Sequence, residues 1–109
     1  MTEGEFLWRV YSTVTVGMPI QKPRRVSEVL AVSPEGNISY RIGTSNSKTV
    51  TREDLRLIYR LLCDRPVSGA DLKAIAGTSR PCNVTTYTWI LKTTGLAKLE
   101  QDGKWHRTW

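Results

Sequence analysis

The amino-acid sequence predicts an α+β fold in which an N-terminal extension with a β-hairpin, residues 1–50, precedes three helices and a C-terminal β-hairpin, residues 51–109. Two observations predict this architecture. Three segments between residues 51 and 95 carry capping and stop signals at their ends, with apolar residues at helical spacing between them. After Gly95 the pattern alternates on either side of Asp102-Gly103, which is typical of a β-hairpin.

The N-terminal extension begins with an ambiguous segment. Apolar residues of Phe6–Tyr11 recur at helical spacing, whereas the β-branched run 10–16 equally favours a strand. A turn at 33–36 between two alternating runs predicts a β-hairpin at about 25–43, and the polar stretch 43–48 is expected to be a loop. We expect this extension to pack on the rest of the chain or to serve in dimerisation, with Phe6–Tyr11 as the dimer element.

The first helix of the C-terminal part is predicted over residues 51–63. Thr51 and Asp54 have the spacing of a helix cap. One face carries an apolar stripe for the core, and another carries arginines that we expect to pair with nearby acids rather than to bind phosphate. The stripe consists of Leu55, Ile58, Tyr59 and Leu62, and the arginines are Arg52, Arg56 and Arg60.

Two further helices are predicted at 68–77 and 81–94. Ser68 caps the shorter helix, and Pro81 suits the first turn of the longer one, which ends at Gly95. The longer helix is predicted to bury one apolar face and to expose a face that contains no acid. The buried face consists of Val84, Tyr87, Ile90 and Leu91, and the exposed face of Cys82, Thr85, Thr86, Trp89, Lys92 and Thr93.

The C-terminal hairpin, residues 96–109, is rich in basic residues and tryptophan. Trp105 and Trp109 share one side of the second strand, and we expect them to pack on the core or to cover Trp89. The whole chain has a formal net charge of +6 and a pI near 9.7, which favours an anionic partner. Residues 76–109 carry five cations and two anions, the largest regional excess.

The order of elements from about residue 52 to residue 109, three helices and then a hairpin, resembles a winged helix-turn-helix DNA-binding domain. The resemblance covers little more than half of the chain and includes no short signature motif. It implies that helix 81–94 enters the major groove and that the hairpin 96–109 is a wing on the DNA backbone or in the minor groove.

These observations predict a DNA-binding protein, a small transcriptional regulator of bacterial or phage type that binds double-stranded DNA, alone or as a homodimer or with a partner protein. Hydroxyl, amide and basic side chains are those that contact phosphates and base edges. The residues expected to contact DNA are Ser79, Arg80, Asn83, Thr85, Thr86, Trp89, Lys92, Lys98, Lys104, His106 and Arg107, with Lys22, Arg24 and Arg25 as auxiliary phosphate contacts.

The alternative is a protein-binding adaptor with an exposed patch of Trp89, Trp105 and Trp109, since tryptophans are typical anchors of protein interfaces. Catalysis is not expected, because the single histidine, His106, has no acid in sequence placed to orient it. No cofactor is predicted. Cys63 and Cys82 do not have the spacing of a metal site with the single histidine, and we expect them to be free thiols rather than a disulfide. No apolar run approaches the length that spans a membrane, and the first residues lack the pattern of a signal peptide. We therefore expect a cytoplasmic protein, or a nuclear one in a nucleated cell.

Overall fold

A computed structural model describes all residues from 1 to 109 and has an α+β fold with four helices and antiparallel sheets. The N-terminal half is a helix followed by a four-stranded sheet in which neighbouring strands are consecutive in sequence. Its elements are α1 (Glu3–Thr13), β1 (Pro19–Gln21), β2 (Val26–Val32), β3 (Ile38–Ile42) and β4 (Asn46–Val50).

The C-terminal half contains three helices and a short antiparallel hairpin. Its elements are α2 (Arg52–Asp64), α3 (Gly69–Ala76), α4 (Asn83–Thr94), β5 (Ala97–Leu99) and β6 (Trp105–Arg107). An antiparallel bridge between Val67 and Trp105 attaches the hairpin to the connection between α2 and α3. None of the four helices combines the length and the apolar character that crossing a membrane requires.

Three helices begin with reciprocal caps, in which a hydroxyl side chain and an acid three residues later satisfy each other's backbone N–H groups. The pairs at α2 and α3, Thr51 with Asp54 and Ser68 with Asp71, confirm the predicted helix starts. At α1 the corresponding pair is Thr2 with Glu5. Residues 3–13 are therefore helical, and the chain becomes extended only at Val14.

The predicted hairpin at about 25–43 is confirmed by β2 and β3, but the loop expected at 43–48 is wrong. Residues 46–50 form β4, which pairs with β3 from Ile38↔Val50 to Ile42↔Asn46. This edge strand is held by backbone hydrogen bonds and leaves most of its polar side chains accessible. Its sequence therefore lacks the apolar alternation by which a strand is recognised.

A single hydrophobic core joins the two halves. It contains 20 buried apolar side chains drawn from α1, the four-stranded sheet, all three later helices and the start of β5. The apolar residues of α1 belong to it, because Phe6, Leu7 and Val10 are at most 4% exposed. These three side chains belong to the core, whereas Trp8 of the same predicted dimer element is exposed, and the extension is packed on the rest of the chain.

Candidate nucleic-acid interface

A buried ionic network fixes the turn before α4. Asp54 of α2 has a side chain that is 5% exposed, and its carboxylate accepts hydrogen bonds from Arg80 Nη1 at 2.8 Å and Arg80 Nη2 at 3.1 Å. The Tyr87 hydroxyl donates to the same carboxylate at 2.9 Å. Arg80 Nη1 also donates to the Thr49 carbonyl of β4 at 3.2 Å. The guanidinium thus links α2, β4 and α4.

A neutral part of the network lies beside it. Asn83 Nδ2 donates to the Thr49 carbonyl at 2.9 Å, and Asn83 Oδ1 accepts from the Tyr40 hydroxyl at 2.6 Å. Burial raises the pKa of Tyr40 to about 12 and also raises the pKa of Tyr87, so both phenols keep their protons further into the alkaline range than an exposed tyrosine does. Sheet and helix are therefore joined by polar contacts in which every buried side-chain polar atom has a partner.

The structure corrects two predicted DNA contacts, Asn83 and Thr86, and gives a third, Arg80, a partner within the protein. The side chains of Asn83 and Thr86 face the sheet and are 0% exposed, and the Arg80 guanidinium is bound to Asp54. The helical pattern separated hydroxyl from apolar residues, but a residue near the edge of the apolar sector can be covered by a neighbouring element. Here the sheet packs along α4 and buries Thr86, while Val84 is only half-buried.

The remaining surface of α4 lines a groove of about 900 Å³. One wall is the connection after β1 and the other is the C-terminal hairpin, so three separate segments form it. No acid lines this groove, whereas three lysines and two half-buried tryptophans do. The lining residues are Gln21, Lys22, Pro23, Thr85, Thr88, Trp89, Lys92, Thr93, Lys98, Leu99 and Trp105.

A second, smaller cavity of about 260 Å³ adjoins the groove and shares Lys22, Pro23 and Thr85 with it. Its remaining lining includes three arginines and again no acid. These arginines are Arg24, Arg25 and Arg41, and the other lining residues are Ser27, Ile42 and Cys82. Sequence reasoning assigned Arg24 and Arg25 to phosphate but missed Arg41, which comes from β3.

Lys22 stands between the two cavities. Its Nζ donates to the Cys82 carbonyl at 3.2 Å and lies 4.4 Å from the centre of the Tyr40 ring. Burial lowers the pKa of Lys22. An ammonium group has three donors, so this arrangement orients the lysine and leaves hydrogen-bonding capacity for an anion.

The basic residues of the C-terminal hairpin are not gathered on one surface. Lys98 lines the groove, and Lys104 is exposed near the hairpin turn. Arg107 Nη1 donates to the Cys63 carbonyl at 3.3 Å, and with His106 it lines a different cavity at the end of α2. His106 Nε2 lies 2.8 Å from Asp102 Oδ2, so the expectation that it lacks a neighbouring acid is wrong.

The predicted contact in the α3–α4 turn, Ser79, is exposed, and its carbonyl accepts from Lys48 Nζ at 3.2 Å. Six groove residues were not among the predicted DNA contacts, and two of them, Thr88 and Trp105, bear on its chemistry. Thr88 and Trp105 line it beside Thr85 and Trp89. Thr88 carries the same hydroxyl signal as its neighbours, whereas nothing in the local pattern distinguished a groove position for Trp105 from a core position.

The tryptophans separate into different environments. Trp109 stacks on Tyr59 with ring centres 5.9 Å apart and meets the edge of Phe6, which confirms its packing on the core. Trp89 and Trp105 are half-buried in the groove. The most exposed tryptophan is Trp8 on α1, at 69%. Trp89, Trp105 and Trp109 therefore do not form one continuous aromatic patch.

No group of three or more histidine, cysteine or acidic side chains is close enough to hold a metal ion. Cys63 and Cys82 are free thiols. In the comparisons with known proteins, no family model, no curated protein and no solved structure matched this chain.

Proposed function

We propose that this chain is a DNA-binding protein whose C-terminal half has the winged helix-turn-helix arrangement. The observation that carries the proposal is that two adjoining cavities, neither of them lined by an acid, gather six cationic side chains, of which Arg41 is paired with Glu28 at 3.1 Å. Cation-lined, acid-free clefts attract phosphate, and the phosphate backbone dominates the affinity of proteins for DNA. These six side chains are Lys22, Arg24, Arg25, Arg41, Lys92 and Lys98.

The order and pairing of the elements support the winged arrangement. Helices α2, α3 and α4 are followed directly by the β5–β6 hairpin, and an isolated antiparallel bridge joins Val67 to Trp105 of that hairpin. In this assignment α3 and α4 are the helix-turn-helix pair, and residues 97–107 are the wing.

The proposed contacts differ from those of a helix that enters the major groove with its first turn. Lys92 on α4 and Lys98 on the hairpin wall bind phosphates in the groove, and Arg24 and Arg25 bind them from the smaller cavity. The hydroxyls of Thr85 and Thr88 each already donate to a backbone carbonyl, at 3.1 and 3.0 Å, and their oxygens remain available as acceptors. The phosphate contacts of these lysines and arginines position DNA without specifying its sequence.

A role in transcription requires a preferred sequence, which phosphate contacts do not provide. The regulator proposal therefore rests on base contacts from the accessible strip of α4. Selection of bound duplexes from a randomised pool tests it directly. Enrichment of one motif supports a regulator, whereas a flat sequence profile with retained affinity indicates a general DNA-binding protein.

The binding proposal is tested by fluorescence anisotropy of labelled DNA, as duplex and as single strand, at salt concentrations between about 50 and 200 mM. Each phosphate contact that is lost should reduce the log-log salt slope by about 0.9 for a duplex. We expect Lys92→Gln and Lys98→Gln each to weaken binding and to flatten this slope.

Lys73→Gln is the matched control, because Lys73 is exposed on α3 and lines neither cavity. It removes one charge from the whole protein, so it measures the effect of net charge alone. Equal losses for Lys73 and Lys92 would contradict a localised interface. Absence of binding to any DNA at the lowest salt would contradict the proposed function.

The protein-binding adaptor remains a second candidate, favoured now by a different residue from those predicted. Trp8 is 69% exposed on α1, outside the groove, and large exposed tryptophans are common anchors of interfaces. A Trp8→Ala variant separates the two candidates, since it should leave DNA affinity unchanged. If α1 forms a protein interface, Trp8→Ala should abolish self-association or partner binding. Light scattering measures this change.

A further inference from the structure

The shape of the basic groove differs from that of a surface that reads a duplex. A helix that reads bases must enter a major groove about 12 Å wide and 8.5 Å deep, and must protrude to do so. The accessible strip of α4 instead forms part of a concave surface, between the Lys22-Pro23 connection and the β5–β6 hairpin. One side of its first turn is covered by the sheet, because Asn83 and Thr86 are 0% exposed.

The chemistry of the groove combines two kinds of group. Trp89 and Trp105 offer aromatic surface, and three lysines, one on each wall and one on α4, offer positive charge. Aromatic side chains that stack on bases, placed beside cations that follow the backbone, are the combination by which proteins bind single-stranded nucleic acid. A duplex cannot use the aromatic groups in this way, because its bases are already stacked on one another.

The dimensions fit a short strand. Thr85 and Lys92 are seven residues apart on α4, which is about 10 Å along a helix axis. This length corresponds to about three nucleotides at the stacked spacing of 3.4 Å per strand. The adjoining cavity continues the path beyond Lys22, and its arginines can receive the next phosphate. Arg41 is free to do so at small cost, since its ion pair with Glu28 is solvent-exposed, with side chains 43% and 44% exposed.

We propose that this groove binds a single strand of DNA, with bases against Trp89 and Trp105 and phosphates on Lys92, Lys98 and Lys22. The following phosphate enters the cavity of Arg24, Arg25 and Arg41. This inference rests on the proposed DNA-binding function and specifies the form of DNA that the site accepts. Duplex DNA then meets the same lysines through its phosphates, without stacking on the tryptophans, and binds more weakly at equal salt.

The test uses the full chain and three labelled probes of about twelve nucleotides, within the range of known single-strand sites. They are an oligothymidine strand, an abasic strand with the same number of phosphates, and a duplex. We expect the oligothymidine to bind most tightly and the abasic strand to bind at least about tenfold more weakly, because base stacking is absent from it. Binding of oligothymidine should also quench tryptophan fluorescence.

The Trp89→Leu variant should lose most of the preference for oligothymidine over the abasic strand, whereas the exposed Trp8→Leu control should retain it. If Trp89→Leu does not fold, the abasic comparison on the unsubstituted protein decides the question. Equal affinity for the thymidine and abasic strands, or binding to the duplex alone, would overturn the single-strand inference and leave DNA binding standing. Failure of all three probes to bind would instead overturn DNA binding itself.

Discussion

At the scale of single residues, the side chain of Asp54 links α2 to α4 and to the turn before α4. Its carboxylate caps α2 through Thr51, binds both terminal nitrogens of Arg80 and accepts from Tyr87. A buried charge that loses its partner is strongly destabilising, whereas exposed ion pairs contribute little. The position of α4, and with it one side of the groove, therefore depends on an acid that belongs to another helix.

We expect Asp54→Ala to reduce the free energy of unfolding by about 3 to 5 kcal/mol, because it leaves the partly buried Arg80 guanidinium and the Tyr87 hydroxyl without their acceptor. Urea denaturation followed by circular dichroism measures the change. Glu53→Ala is the matched control on the same helix turn. Its 3.5 Å pair with Arg56 is exposed, so the loss should stay below about 1 kcal/mol. Equal losses for both variants would contradict the role assigned to Asp54.

The phenol of Tyr40 predicts a sensitivity to high pH. Its pKa is raised from an ordinary value of 10.0 to about 12 by burial, so the folded protein holds this proton where the unfolded chain releases it. The contribution is therefore fully present below pH 10 and is lost as the pH rises towards about 12. The raised pKa of Tyr87 acts in the same direction.

We expect the urea midpoint to fall steadily across this alkaline range. Tyrosinate absorbance of the folded protein should show a late-titrating fraction. The Tyr40→Phe variant cannot titrate at this position, so its midpoint should fall less steeply with pH, although it starts lower because Asn83 Oδ1 loses its donor. A midpoint as pH-dependent in the variant as in the parent protein would contradict the assignment.

At the scale of elements, local signals identified the helices well and the strands unevenly. Hydroxyl-to-acid spacing located the starts of α2 and α3, because a cap is a contact between residues three apart in sequence. β4 was not predicted, because it is stabilised by backbone pairing with β3. An edge strand of Asn, Ser, Lys and Thr shows no apolar alternation.

The turn between β2 and β3 provides a test of how these elements fit against α1. Gly36 has φ +86°, and a Cβ at this position would lie 2.5 Å from the Tyr11 hydroxyl oxygen. That hydroxyl donates to the Gly36 carbonyl at 2.7 Å. We expect Gly36→Ala to cost about 2 to 4 kcal/mol, the sum of left-handed backbone strain and displacement of Tyr11.

Gly103→Ala is the control for backbone strain alone. Gly103 has φ +78° in the hairpin turn, and no atom lies within 4 Å of the position its Cβ would take. We expect its cost to be about 1 to 2 kcal/mol. Thermal unfolding of both variants, followed by circular dichroism, gives the difference. If the two substitutions are equally costly, the contact between the turn and Tyr11 contributes nothing.

At the scale of the whole molecule, the groove could not be predicted from the sequence. Its walls come from residues 21–23, 85–93 and 98–105, and only the packing of the sheet and hairpin beside α4 brings them together. Lys22, Lys92 and Lys98, three of the residues predicted from the sequence to contact DNA, line the groove. The sequence could not show that Arg80, equally basic, would be bound to a buried acid, because Asp54 lies 26 positions away.

Because both halves share one core, we expect that the chain cannot be divided near residue 50 into independently folding parts. A winged helix-turn-helix domain should fold without the extension, yet here one side of the first turn of α4 is covered by the sheet. Removal of residues 1–50 would expose Asn83, Thr86 and Tyr87, and would remove the Thr49 carbonyl that accepts from Arg80 and Asn83. A fragment this small has little core area to compensate for the loss.

We therefore expect the full chain to unfold in one cooperative transition, and the fragment 51–109 to show no cooperative transition under the same conditions. Differential scanning calorimetry measures both. Agreement between the calorimetric and van't Hoff enthalpies of the full chain would show that the sheet and the three C-terminal helices unfold as one unit. A fragment that unfolds cooperatively at a similar temperature would show instead that the sheet is an accessory layer, and that the basic groove was added to a winged helix that is already stable.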